Sequence, residues 1–156
     1  MSARLDAAPP APGADLIARA LGATALASLA MIHVIDLPAT LGPAPLVGVG
    51  YFGIIAAAIL VGGMMIARSH WLVWAAAGGL AASAMGGYVL TRALAGGFLG
   101  DHGDVGNWRC PLGIAALSVE TLLILLAAWR TRIPAPSTAH QAQPAARRAP
   151  EYSQTG

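Results

Sequence analysis

The sequence predicts an all-α membrane protein, a bundle of four transmembrane helices. Of the 156 residues, 56% are hydrophobic and only 10% are charged, whereas a soluble domain usually carries about 25% charged residues. Four separate apolar stretches are each about 20 residues long, which is the length that crosses the hydrocarbon core of a bilayer as a helix. Most of the protein surface is therefore expected to face lipid.

The four predicted spans follow one another with short breaks. They run from about Leu16 to Ile35, from Pro45 to Ala67, from Trp71 to Thr91 and from Trp108 to Trp129. Proline is tolerated in the first turn of a helix but not in its interior, so we expect Pro38 to end the first helix and Pro45 to begin the second. The glycine-rich segment 96–107 is expected to form the loop between the third and fourth helices.

The two ends of the chain show no apolar periodicity. Residues 1–14 are rich in alanine and proline, and residues 131–156 are rich in proline, alanine, glutamine and serine. Such composition is typical of disordered tails. The sequence therefore predicts a transmembrane domain over residues 15–130 with a disordered tail on either side.

The arginines predict the orientation of the bundle. The chain has no lysine, so all nine basic residues are arginines. Four spans place both termini on one side, and seven arginines share that side, namely Arg4, Arg19, Arg68, Arg130, Arg132, Arg147 and Arg148. Only Arg92 and Arg109 lie on the other side. Because basic residues accumulate on the cytoplasmic side, we expect a multi-pass plasma-membrane protein with both termini in the cytoplasm (N-in/C-in).

Small residues in the third span predict close helix packing, because lipid provides no hydrophobic drive between helices. One row with four-residue spacing consists of Ala75, Gly79, Ser83 and Gly87, and a neighbouring row consists of Gly78, Ala82 and Gly86. We expect the third helix to be the central packing element of the bundle. Homodimerisation through one of these rows, or through a similar site at Gly63 in the second span, is the alternative.

Glu120 is expected near the centre of the fourth span. An isolated acid at that depth costs on the order of 3 kcal/mol on insertion scales, so it is retained when it is paired, protonated or lining a cavity. The functional interpretations are a proton carrier, a cation ligand or a substrate contact. The structural alternative is a neutral acid that hydrogen-bonds to a helix neighbour such as Ser83 or Ser118.

A second set of polar residues is expected at the outer ends of the spans. His33, Tyr51 and Tyr88 lie at similar depths, and Thr91 and Arg92 lie one turn further out. These side chains predict an outward-facing pocket above Glu120 for a small ligand, a quinone head group or a metal. Its roof would be formed by the loop residues Asp101, His102 and Asp104. The alternative is that these polar groups sit at the lipid headgroups, as tyrosine and histidine commonly do.

Several kinds of site are not expected from the sequence. His33, Asp36, His102 and Asp104 lie far apart and match no metal-ligand spacing, so no metal site is predicted. His33 is the only histidine inside a span, which argues against a haem held by two histidines. The single cysteine, Cys110, excludes an intrachain disulfide. The scattered arginines do not indicate nucleic-acid binding, no cofactor is implied, and no motif indicates an enzyme.

Three stretches of the chain resemble a known family. They are Ile32-His33 with Pro38 and the segment Gly48 to Phe52; the segment Gly87 to Arg92; and Asp104 to Trp108 with Pro111-Leu112-Gly113 and Ser118-Val119-Glu120. In this order they resemble an uncharacterised family of four-helix integral membrane proteins common in actinobacteria, over about residues 15–130. The family's pattern has an acid before the proline, where this sequence has Cys110.

The resemblance implies a four-helix topology and a bacterial plasma membrane, and it implies no activity. The residues that it offers as candidates are His33, Tyr88, Arg92, Asp104, Asn107, Trp108 and Glu120. Together with Tyr51 from the predicted pocket, these are the candidate ligand-binding or proton-carrying residues, and no catalytic residue is predicted.

Three functions are consistent with these features. The first is an accessory or partner-binding subunit that contacts the lipid bilayer and either a membrane-protein partner or further copies of itself. The second is a small oligomeric proton-coupled transporter that uses Glu120. The third is a redox or metal-handling protein that uses the outward-facing pocket.

Overall fold

The computed structural model describes residues 12–68 and 70–132. This part of the chain folds into four α-helices, which are α1 (Pro12–Leu41), α2 (Pro45–Ala67), α3 (Trp71–Ala93) and α4 (Pro111–Arg132). All four are long and apolar enough to span a membrane, so the predicted all-α class and its four spans are confirmed. The predicted tails lie outside the described residues, apart from residues 12–14 and 131–132, which belong to α1 and α4.

The helices form a ring in which each packs against its neighbours in chain order and α4 closes against α1. The closest pairs are α1 with α2 and α3 with α4, whereas α1 and α3 meet at only a few positions across the ring. The turn between α1 and α2 and the loop between α3 and α4 lie at one end of the bundle, which we call the loop end. The opposite end, where α1 begins and α4 ends, is the terminal end.

α1 continues six residues beyond its expected end at Ile35. Pro38 lies inside this helix, so the expectation that it ends the helix was wrong. Proline removes only one helical hydrogen bond, the one to the carbonyl of Val34. The hydroxyl of Thr40 donates to the carbonyl of Asp36 at 3.1 Å and supports the last turn. Asp36 consequently lies on a helix rather than in a turn.

Four other helix boundaries differ from the sequence prediction, including the end of α4, which lies at Arg132 instead of Trp129. α4 begins at Pro111, a favourable first position for proline, so Trp108 belongs to the preceding loop. α1 begins at Pro12 and α3 ends at Ala93. α2 has the predicted bounds.

The terminal half of the bundle is closely packed. Its most deeply buried side chains are Trp74, Leu26, Leu29, Met65 and Leu123. Gly22 allows α1 to approach α2 and α3 there, because a Cβ atom at this position would lie 2.5 Å from the sulfur of Met65 and 3.0 Å from the ring of Trp74. The side chains of Met65 and Trp74 therefore fill the space beside Gly22.

α3 is not the central packing element, contrary to expectation. Its buried face carries Val73, Trp74, Ala77, Ala81 and Ala84. Of the predicted row, Ala75, Gly79 and Ser83 are exposed, and Gly87 is half-buried. A row with four-residue spacing turns by about 40° at each step around an α-helix, so it does not stay on one face. The small size of its side chains also does not show which face of α3 meets the other helices. Of the neighbouring row, Gly78 packs closely against Ala127 of α4.

Candidate functional site

A cavity of about 170 Å³ lies in the loop half of the bundle. All four helices and the loop between α3 and α4 contribute to its lining. Its polar lining residues are His33, Asp36, Tyr51, Tyr88, Thr91, Arg92, Asp104, Cys110 and Glu120. Aliphatic side chains and Phe98 form most of the remaining wall. The cavity thus combines an apolar body with a few polar groups, as small-molecule sites in proteins usually do.

Glu120 forms the deepest polar part of the lining, about 14 Å from the start of α4 at 1.5 Å per residue. The residue is 1% exposed, and its Oε2 atom has no hydrogen-bond partner in the described part of the chain. The expected neighbours do not supply one. The hydroxyl of Ser83 donates to the carbonyl of Leu80 at 2.7 Å, and that of Ser118 donates to the carbonyl of Ile114 at 2.9 Å.

His33 is held in one orientation on α1. Its Nδ1 atom lies 2.8 Å from the backbone carbonyl of Leu29. A carbonyl oxygen only accepts, so Nδ1 carries the proton and Nε2 of the neutral ring is left as an acceptor. The ring meets that of Tyr51 edge to face, with centroids 4.8 Å apart. α1 and α2 therefore present a fixed imidazole to the cavity.

Asp36 is a cavity residue that the sequence interpretation missed. The hydroxyl of Tyr51 donates to its Oδ2 atom at 2.9 Å. Asp36 lies three positions after His33, a spacing that puts two side chains on the same helix face. That spacing indicates a shared face only within one helix, and the first helix was expected to end at Ile35, one residue before Asp36.

Arg92 holds the loop over the cavity. It is 7% exposed, and its Nε donates to the carbonyl of Asn107 at 2.9 Å. One terminal nitrogen lies 3.1 Å from Oδ2 of Asp104, and the other donates to the Thr91 hydroxyl at 2.9 Å. The guanidinium carbon lies 3.7 Å from the centre of the Tyr88 ring. Every nitrogen of Arg92 thus has a partner.

Asn107 and Trp108 were predicted as ligand-binding candidates, but they do not line the cavity. The side-chain amide of Asn107 lies 3.4 Å from Oδ1 of Asp104. Trp108 is 47% exposed, and its carbonyl accepts a hydrogen bond from the hydroxyl of Tyr88 at 3.2 Å. Both residues instead shape the loop. Of the eight candidates, the structure brings together Glu120, His33, Tyr51, Tyr88, Arg92 and Asp104 around one cavity.

Asp101 and His102 do not form the roof that was expected of them. The buried carboxylate of Asp101 accepts a hydrogen bond from the backbone N–H of Asp104 at 3.2 Å. His102 is exposed and packs beside Gly97, whose φ of +76° favours glycine. The loop residues that reach the cavity are Phe98, Leu99, Asp104 and Cys110.

A separate charged cluster at the terminal end ties the helices together. The Nε atom of Arg19 donates to the carbonyl of Met65 at 2.9 Å, and a terminal nitrogen contacts the carbonyl of Ile66. These carbonyls belong to the last turn of α2, where the backbone oxygens lack helical donors. Arg130 pairs with Asp15 and so joins α4 to α1. These contacts join α1 to α2 and α4, so the cluster is explained by the stability of the bundle.

Across residues 12–68 and 70–132, no group of three or more histidine, cysteine, aspartate or glutamate side chains could hold a metal ion. No protein-family model, curated protein or solved structure matches this chain. The cavity geometry is consequently the main basis for a functional proposal.

Proposed function

We propose that this multi-pass membrane protein binds a small ligand in the cavity of its loop half and that Glu120 exchanges a proton for it. The observation that supports the proposal is the Oε2 atom of Glu120, which is buried against the cavity without a partner. A buried polar group without a hydrogen bond costs about 1–3 kcal/mol. A proton would remove the charge of the buried carboxylate, and a bound ligand would supply the missing hydrogen-bond partner, which gives a reason for an acid at this position.

The remaining polar groups support binding because most of them are already held in place. His33 is fixed by Leu29, Tyr51 is bonded to Asp36, and Arg92 is bonded to the loop. A site whose side chains are ordered before binding loses little conformational entropy when the ligand arrives. Glu120 is the group whose bonding would change.

We further propose that the termini lie in the cytoplasm of a bacterium and that the cavity lies in the outer half of the plasma membrane. The excess of arginines at the terminal end supports this orientation. Arg92 and Arg109, at the loop end, are outnumbered by the arginines of the opposite end. A ligand would then reach the cavity from outside the cell or from the outer leaflet.

Carbodiimide labelling tests whether small molecules reach a protonated Glu120. Dicyclohexylcarbodiimide is apolar and reacts with protonated carboxyl groups that are shielded from water. We expect mass spectrometry of the full-length protein in detergent to find an adduct at Glu120. The Glu120→Gln variant should lose that adduct, and Asp101→Asn, which removes a buried acid outside the cavity lining, should keep it. An unmodified Glu120 in the wild-type protein would contradict the proposal.

A second candidate function is that of a partner-binding subunit or homo-oligomer. The observation that favours it is the exposed row at Ala75, Gly79 and Ser83 of α3. A Cβ atom at Gly79 would meet no other atom within 4 Å in the described structure. The bundle itself therefore does not need small residues there, whereas close approach of another transmembrane helix does.

Crosslinking in native membranes tests this second function. Gly79→Leu should lower the yield of crosslinked dimer or of a co-purifying partner, because the larger side chain separates the two helices. Gly53→Leu is the matched control, since Gly53 is also exposed and open but lies on α2. Equal yields for the wild type and Gly79→Leu would exclude an interface at this row.

A further inference from the structure

We infer that the ligand of the cavity is an organic monocation with a small apolar body, about the size of one aromatic ring. The inference rests on the proposed function and adds the chemical class of the ligand. It follows from the charges of the lining, from the hydrogen bonds of Asp36 and Glu120 and from the size of the cavity.

The lining carries more acids than bases. Asp36, Asp104 and Glu120 line the cavity, and the basic groups beside them are the guanidinium of Arg92 and the imidazole of His33. Arg92 lies 3.1 Å from Asp104, so these two charges balance each other. Neither Asp36 nor Glu120 forms an ion pair with a described residue. The charge of Asp36, together with that of Glu120 once it has released its proton, consequently favours a cation and opposes an anion.

The two uncompensated acids differ in their hydrogen bonding. Asp36 already accepts the hydroxyl proton of Tyr51 at 2.9 Å, so part of its bonding capacity is used. Glu120 lies deeper and its Oε2 atom has no donor among the described residues. An ammonium group would therefore gain most by donating to Glu120, while Asp36 adds to the attraction from the α1 side.

The size of the cavity and its apolar wall limit the body of the cation. Its volume of about 170 Å³ is close to that of an engineered apolar cavity of roughly 150 Å³ that binds benzene. Ile54, Leu112 and Ala116 contribute apolar surface, and Tyr51 and Phe98 contribute aromatic rings. Aromatic faces attract organic ammonium groups. A bare metal ion is not favoured, because the described residues contain no group of three or more histidine, cysteine, aspartate or glutamate side chains that could hold one.

Three one-ring probes of different charge test the inference on the full-length protein in detergent at pH 7. They are benzylammonium, benzyl alcohol and benzoate. Two readouts report on the cavity, namely protection of Glu120 from the carbodiimide and protection of Cys110, the single cysteine, from N-ethylmaleimide. We expect benzylammonium to bind roughly 10- to 100-fold more tightly than benzyl alcohol, the range of one charge-assisted hydrogen bond. Benzoate should bind most weakly.

Matched variants locate the charge that provides the preference. Glu120→Gln should reduce the affinity for benzylammonium by roughly the same 10- to 100-fold. The affinity for benzyl alcohol should stay nearly unchanged, as judged from Cys110 protection. Asp101→Asn removes an acid that does not line the cavity and should behave like the wild type. If Glu120→Gln does not fold, the preference of the wild-type protein among the three probes still decides the question.

The results separate failure of the inference from failure of the proposed function. Equal or tighter binding of benzyl alcohol or benzoate would overturn the cation class while supporting a ligand-binding cavity. A preference for benzylammonium that survives in Glu120→Gln would overturn the role of Glu120 as counter-ion. If the carbodiimide and the maleimide react but no probe protects either residue, the cation inference fails. If the carbodiimide does not modify Glu120, both the cation inference and the proposed function fail.

Discussion

Glu120 and Arg92 are both buried and ionisable, but their surroundings differ completely. A buried charged group is compatible with a stable fold when its polar atoms are bonded. Each nitrogen of Arg92 has a partner in Asn107, Asp104 or Thr91, so its role is to hold the loop. One oxygen of Glu120 has none, so stability of the fold does not explain its presence.

Replacing Glu120 with leucine should stabilise the protein. The change removes an unpartnered polar group from the interior and keeps a similar volume, so we expect a gain of about 1–3 kcal/mol in the free energy of unfolding. Thermal or denaturant unfolding in detergent measures it. Ser118→Ala, two positions away on an exposed site, should change stability by less than about 0.5 kcal/mol. A marked loss of stability in Glu120→Leu would instead assign Glu120 a structural role.

Replacing Arg92 with lysine should loosen the loop between α3 and α4. Lysine keeps the charge but lacks the planar fork that binds three partners and stacks on Tyr88. We expect a loss of about 1–3 kcal/mol in stability and faster proteolysis within residues 94–110. Arg109→Lys is the control, because Arg109 is an exposed arginine of the same loop. Equal effects of the two substitutions would contradict the assigned role of Arg92.

At the scale of the helices, contacts between two close pairs determine the packing. α1 packs on α2 and α3 packs on α4, and glycine is essential only where a neighbouring side chain fills its space. Gly22 is such a position, since Met65 and Trp74 occupy the volume next to it. Gly53 and Gly79 are not, because the space beside them is open.

Gly22→Leu should therefore disrupt the packing of α1 against α2 and α3. Overpacking of an interior usually costs 1–3 kcal/mol, and occasionally more, so we expect a loss of roughly 3 kcal/mol in the free energy of unfolding. The intrinsic tryptophan fluorescence, to which Trp74 contributes as one of four tryptophans, should change in the same variant. Gly53→Leu introduces the same side chain at an open position and should leave stability within about 1 kcal/mol of the wild type. Comparable losses in both variants would argue against the contact at Gly22.

At the scale of the whole molecule, the two halves of the bundle differ. The terminal half is filled by Trp74 and its aliphatic neighbours, whereas the loop half contains the cavity. Glu120 lies where the two meet, close to the middle of α4. This arrangement favours access to Glu120 from the loop end alone, since the packed half separates it from the other end.

The proposed orientation predicts which side of the membrane each end of the bundle faces. In intact cells, a membrane-impermeant maleimide should label Cys110 near the loop end. Thr131→Cys, in a Cys110→Ser background, places the thiol at an exposed position of the terminal end and should react only after the membrane is permeabilised. The reverse pattern would show that the termini lie outside the cell.

Much of the candidate site could be predicted from depth along the helices. The rise of 1.5 Å per residue places His33, Tyr51 and Tyr88 at one level and Glu120 below them, and the structure brings these residues around one cavity. Asn107 and Trp108 could not be placed in this way. They follow glycines in an irregular loop, where no period relates sequence position to direction.

The sequence by itself determined the number of helices and their approximate positions, because apolar stretches of about 20 residues can satisfy their backbone groups in lipid only as helices. It also identified Glu120 as the residue whose burial needs a reason. Only the tertiary structure decided that α1 continues through Pro38, that the Ala75–Gly79–Ser83 row faces outward, and that Ser83 and Ser118 leave Glu120 without a partner. Those outcomes depend on contacts between helices, and the apolar character of a stretch does not specify which face meets which neighbour.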